Sequence, residues 1–190
     1  MKATLLAAIL CAATVLPAAA YVVPGEEGNL VDFVRPVPGE RVCFARNYST
    51  AHLAKHPKQS VSSIKFFLTY FKHEPDEDEP QGYRSYIYRL AVQLRGRPGK
   101  TFKAVGDCLP GDGVIHCSVE CDGGGVQVSW RKRPETILVD LRETGHIRLA
   151  SCGSEDEVDD DGLELLPGAD DRTFLLTRTS KAACPEYEKW

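Results

Sequence analysis

CLPGDGVIHCSVECDGGGVQVSW, residues 108–130, places three cysteines within fourteen residues and two glycine-rich turn signals between alternating apolar runs. Asp112-Gly113 is a strong signal for a two-residue hairpin loop, because a type I′ turn needs positive φ at both central positions. A hairpin centred there sets Leu109 opposite His116 and Cys108 opposite Cys117. That last pair falls at a non-hydrogen-bonded position, where Cα atoms lie about 4.5 Å apart, within reach of a disulfide. A second hairpin centred on Gly123-Gly124 sets Cys121 opposite Val126, Val119 opposite Val128 and Cys117 opposite Trp130. Cys117, Val119, Cys121, Val126, Val128 and Trp130 then share a core face, while His116, Ser118, Glu120, Gln127 and Ser129 face the other way. A slip of one residue would invert this assignment.

Metal and redox roles fit these cysteines poorly. Cys117 and Cys121 are four apart on a strand, about 13 Å between Cα atoms at 3.3 Å per residue. Zinc sites favour close pairs such as C-x₂-C, and the chain has no C-x-x-C for redox chemistry. Covalent bracing is the expected use.

The same alternation runs through the chain. SIKFFLTYF places Ile64, Phe66, Leu68 and Tyr70 on one face; YRSYIYRLAVQLR does so for Tyr86, Tyr88, Leu90, Val92 and Leu94. TFKAVGDC, TILVDLR, HIRLASC and DRTFLLTRT follow the pattern, separated by turn signals such as RGRPGK, KRPE and ETG. Short alternating runs at regular spacing indicate an all-β fold. Short links favour antiparallel neighbours, and the length of the first two runs favours an up-and-down meander closing into a lipocalin-like barrel of about eight strands. A β-sandwich is the alternative. One short helix is expected near residues 50–56, where Ser49 can cap the start and Pro57 marks the end.

MKATLLAAILCAATVLPAAA has a positive Lys2, an apolar run and small residues before position 20, the layout of a signal peptide cleaved near Ala20. The run is too short to cross a hydrocarbon core, which takes about 20 apolar residues, and no transmembrane segment is expected elsewhere. Residues 21–190 are then a single domain in the periplasm or outside the cell. Removing Lys2 with the leader takes the formal charge from −4 to −5, which argues against nucleic acid as a partner. Six cysteines remain, an even number that suits disulfides in an oxidising compartment. Beyond Cys108–Cys117, the expected pairings are Cys121–Cys152, joining neighbouring strand ends, and Cys43–Cys184, tying the two termini together.

Candidate sites are few. His52 and His56 stand four apart on one helix face, so they could share a metal, but Leu53 occupies the place where an H-E-x-x-H site needs Glu. Helix packing and capping, with His56 in the last turn and Pro57 ending the helix, are the plainer reading. Glu157, Asp159, Asp161 and Gly162 match the start of a calcium loop, yet Gly168 stands where the bidentate Glu belongs. A solvated acidic loop is the plainer reading. There is no G-x-S-x-G and no phosphate-binding Gly loop between strand and helix, so no cofactor is expected. Phe66, Tyr70, Tyr86 and Tyr88 are core by default; in a barrel open at one end they would line a ligand pocket.

HLAKHPKQ after an early cysteine, CSVECDGGGV in the middle and GADDRTFLL before a last cysteine together resemble a family of uncharacterised exported bacterial proteins. That resemblance implies an exported location and supplies no activity. Three functions remain open: a non-enzymatic barrel binding a small molecule or a protein, a hydrolase using the His52/His56 helix, and an inhibitor or interaction module presenting stapled loops such as residues 110–113.

Overall fold

The computed structural model describes residues 21–120, 122–149 and 163–184. Eight antiparallel strands close into a barrel, as the alternation predicts. In chain order these are β1 (Arg41–Asn47), β2 (Val61–Lys72), β3 (Arg84–Leu94), β4 (Thr101–Pro110), β5 (Ile115–Ser118), β6 (Gly125–Lys132), β7 (Thr136–Asp140) and β10 (Thr173–Arg178). Each pairs with its predecessor, and β10 returns to β1. Between β7 and β10 the chain leaves the barrel to form a separate hairpin of β8 (Ile147–Leu149) and β9 (Leu163–Leu165). A short helix α1 (Thr50–Lys55) links β1 to β2, with Ser49 Oγ accepting from the His52 N–H at 3.2 Å.

Period-two patterning explains the core. Phe66, Leu68, Tyr86, Tyr88, Leu90 and Val128 point inward and are at most 1% exposed. Eight strands enclose a space just wide enough for side chains to fill. One end is capped by the 3-10 turn Gly28–Asp32 and the residues after it. There Phe33 stacks on Trp130 with ring centroids 4.6 Å apart, and Tyr86 Oη donates to the Val34 carbonyl at 3.3 Å. At the opposite end the β8–β9 hairpin packs against β4 and β6, burying Ile147, Leu149 and Leu165.

The first expected disulfide is present. Cys108 pairs with Cys117 in the ladder, Cα atoms 4.0 Å apart, and both sulfurs are inside the barrel. The turn beyond them differs from the expectation. Asp112 keeps negative φ and Gly113 alone turns left-handed at +73°, so no type I′ turn forms. The ladder stops at Pro110↔Ile115. The cause is tertiary: the Asn29 amide inserts where the last pair would close, donating to Val114 C=O at 2.8 Å and accepting from Gly111 N–H at 3.2 Å. Register survives because the amide imitates the missing pair.

The second hairpin is corrected by four residues. Cys117 faces Val126 and Ile115 faces Val128, while Trp130 pairs with Ile137 of β7. The loop closes between Val119 N–H and Gly124 C=O, with Asp122 at φ +57°. The glycines close this turn rather than centring it: Gly123 N–H donates to Glu120 C=O at 3.2 Å and Gly124 is left-handed at φ +66°. Their backbone is taken by the segment entering β8: Gly125 N–H donates to His146 C=O, and Arg148 N–H donates to Gly123 C=O. A side chain at Gly124 would lie 2.2 Å from the His146 oxygen, so this approach requires glycine. A shift of four is even, so the side chains of β5 and β6 keep their faces. Val119, Val126 and Val128 are buried and Trp130 partly buried, as expected.

Cys43–Cys184 is also formed, spanning 141 positions on the outer side of β1 and β2. It packs with Phe67 and Ala183 in a second small core. The expected Cys121–Cys152 pair, the calcium-loop candidates Asp159 and Asp161, and the leader lie outside the described residues.

Candidate functional site

The barrel seam is short. β1 pairs with β10 through Phe44↔Arg178 and Ala45↔Thr177, whereas its ladder to β2 runs from Arg41 to Asn47. Beyond Ala45 the two strands part. A cleft of about 300 Å³ occupies the gap, lined by Arg46, Tyr48, His52, His56, Gln59, Asp170, Arg172 and Leu175 among others.

Its α1 wall is held firmly. Gln59 is 4% exposed and donates from Nε2 to Val61 C=O at 2.7 Å. Its Oε1 therefore faces His52 Nε2, 3.1 Å away, and that nitrogen carries a proton. Arg95 Nη1 donates to the Leu53, His56 and Gln59 carbonyls at 3.2–3.4 Å, satisfying the helix's free C-terminal end. On the β10 side, the Asp171 carboxylate accepts from Ser60 N–H, Ser60 Oγ and Val61 N–H at 2.6, 2.6 and 3.2 Å. This buried latch fixes the position of Asp170 and Arg172 relative to α1.

The rings form a ladder. Tyr48 and His52 have centroids 4.7 Å apart, and His52 and His56 stack at 4.3 Å with planes 23° apart. The Arg46 guanidinium lies over the Tyr48 ring, 5.4 Å from its centroid. Burial pushes the Tyr48 phenol pKa up, against the opposing charge of Arg46. Asp170 Oδ2 accepts from Lys58 N–H at 3.2 Å, and its Oδ1 is 3.8 Å from His56 Nδ1. Among the described residues, neither Arg46 nor Arg172 has a carboxylate partner.

The spacing of His52 and His56 brings them together as the sequence suggests, but face to face. Stacked imidazoles direct their in-plane nitrogens side by side, whereas zinc needs three or four donors converging at about 2.0–2.3 Å. Among the described residues no group of three His, Cys, Asp or Glu is placed to hold a metal.

Phe66, Tyr70, Tyr86 and Tyr88 lie inside the barrel, none more than 3% exposed. They pack on one another, Phe66 against Tyr88 at 6.0 Å and Tyr70 edge-on to Tyr86 at 5.1 Å. Among the described residues the buried Tyr88 hydroxyl has no hydrogen-bond partner, and burial raises its pKa strongly.

One further cluster has the composition of a catalytic triad without its geometry. His73 Nε2 is 3.0 Å from Ser85 Oγ, and Asp107 also hydrogen-bonds Ser85. A triad needs the carboxylate on the imidazole, so that the ring can take the serine proton. Here the carboxylate sits on the serine, which is 1% exposed. The His73 ring is clamped flat against Tyr83 at 3.8 Å.

Sequence reasoning reached the His52/His56 side of the cleft and missed Arg46, Tyr48, Asp170 and Arg172. Arg46 and Tyr48 stand six and four residues before His52, a local signal that could have been read. Arg172 is brought in by barrel closure. No protein-family model, curated protein or solved structure matches the chain.

Proposed function

We propose that this chain is an exported, non-enzymatic binding protein whose small-molecule site is the seam cleft between α1, β1 and β10. The observation that carries this reading is the cleft itself: a recess of about 300 Å³ joining stacked rings, an apolar edge at Leu175 and two arginines without carboxylate partners among the described residues. That volume is at the lower end of the roughly 300–1,000 Å³ typical of ligand pockets. The cleft is favoured over the barrel interior because the interior rings are at most 3% exposed and one barrel end is capped by Phe33 and Val34. Binding is favoured over catalysis because His52 Nε2 is spent on Gln59 and Ser85 is buried with its carboxylate on the wrong partner. Two disulfides support an oxidising location, and no helix among the described residues is long and apolar enough to cross a membrane.

The test is a fragment screen read by ¹⁵N NMR on the oxidised protein. Bound fragments are expected to shift the amides of residues 46–56 and 172–175. Shifts confined to Tyr86, Tyr88 and their neighbours would move the site into the barrel and overturn the assignment.

A further inference from the structure

We propose that the seam cleft selects a flat anionic molecule, a ring carrying a carboxylate or phosphate, with its acid group on the Arg46 and Arg172 guanidinium groups and its ring against the Tyr48–His52–His56 ladder. This rests on the cleft being the ligand site.

The argument begins with charge. The chain has 27 acidic and 23 basic side chains, so carboxylates are in excess. Some surface cations use them: Arg35 meets Glu40 at 2.9 Å, Lys132 meets Glu135 at 2.7 Å and Arg133 meets Asp32 at 3.0 Å. Among the described residues the two arginines of the cleft have no carboxylate partner, although a carboxylate lines the same recess. Asp170 is turned to Lys58 N–H and His56 instead. Two guanidinium groups are thus gathered in one recess with their donor forks uncommitted to any carboxylate. A guanidinium offers parallel N–H groups that match carboxylate and phosphate oxygens two at a time.

Shape supplies the second half. The Tyr48, His52 and His56 rings stack on one another, so the ladder offers a partner its ring edges and the end face of His56, whose side chain is 45% exposed. Leu175 adds an apolar side chain 44% exposed at the rim. Ring faces favour a flat partner through offset stacking. Arg46 already lies over Tyr48, which orients its plane before any ligand arrives. Because both arginines are exposed, the attraction should weaken as salt rises.

The experiment titrates the oxidised full-length mature protein with benzoate, phenyl phosphate, benzyl alcohol, acetate and inorganic phosphate, following amides 46–56 and 172–175 by NMR. Benzoate or phenyl phosphate should bind at least tenfold more tightly than benzyl alcohol and than the ring-free anions. The stronger of the two acids identifies the anion. Arg46→Gln and Arg172→Gln should each weaken that binding tenfold or more, with unchanged thermal unfolding confirming an intact fold. Equal binding of benzyl alcohol, or indifference to both substitutions, would overturn the anionic selection while leaving the cleft as a ligand site. Acetate matching benzoate would remove the ring from the proposal. Silence of the cleft amides to every compound would overturn the cleft reading itself.

Discussion

Asp107, on the flank of β4 beside Ser85 and Tyr88, is a carboxyl that the fold holds against its preference. Burial raises its pKa from 3.8 to about 6, the Ser85 hydrogen bond works against that rise, and the charge of Glu120 adds to it. The folded chain therefore keeps this proton up to about pH 6, while the unfolded chain releases it near 4. Between those values the folded state binds more protons, so stability falls as pH rises. The contribution is fully present below about pH 4 and lost above about pH 6. Discounted for the group's partial exposure, it is on the order of 2 kcal/mol. Asp107→Asn should match the parent near pH 4 and exceed it by that amount at pH 7.5, read by urea denaturation at both values. A variant that tracks the parent across the range would show that the carboxyl ionises freely. At this same scale the sequence hid the site: His52 and His56 were visible as a pair, but the orientation that makes them a stacking surface depends on Gln59 and Arg95.

Hairpins show how element-level reading both worked and failed. The β4–β5 register was readable because alternation on each side of Asp112-Gly113 leaves one pairing that buries Cys108, Ile115 and Cys117 together. The turn type was not, since it is set by Asn29, more than eighty residues away in sequence. The β5–β6 glycines looked like a turn for the same reason they serve elsewhere: lacking Cβ, they admit a neighbouring backbone, here the segment entering β8. Local chemistry fixes which residues face inward more securely than it fixes which residues pair. Asn29→Ala tests the clamp on the β4–β5 loop. It removes two hydrogen bonds and leaves Gly111 N–H and Val114 C=O without these partners, an expected cost of about 1–2 kcal/mol. Hydrogen exchange at residues 111–114 should quicken while exchange in β2 and β3 stays slow. Protection unchanged at 111–114 would mean that the loop holds its shape without the amide.

For the whole molecule, one closure creates both the barrel and the cleft. Strands β1 and β10 enclose 125 residues between them, and they meet through a ladder that ends at Ala45↔Thr177. Sequence alternation foretells that the sheet must close to bury its inner face, but it does not say how far the seam zips. The cleft exists because zipping stops there, which is why Arg172 was not readable as a partner of Arg46. The covalent tie lies beside this seam, Cys43 on β1 and Cys184 six residues past the end of β10. It spans 141 positions, against 9 for Cys108–Cys117. In the chain-entropy treatment the longer loop stabilises by about 5 kcal/mol and the shorter by about 3 kcal/mol. Since a domain is stable by only about 5–15 kcal/mol in all, the Cys43→Ala, Cys184→Ala double variant should become marginal, with its urea midpoint falling furthest of any single-bridge variant whose bridge lies among the described residues. Phe67, which packs on that bridge, is expected to keep the outer patch buried, so the ladder register should stay intact. NMR of the double variant in its folded state should then show the amides of residues 172–175 more perturbed than those of β2 and β3. A midpoint close to the parent's would show that the short β-ladder and the Thr179 N–H to Cys43 C=O bond, 2.9 Å long, hold the seam without sulfur.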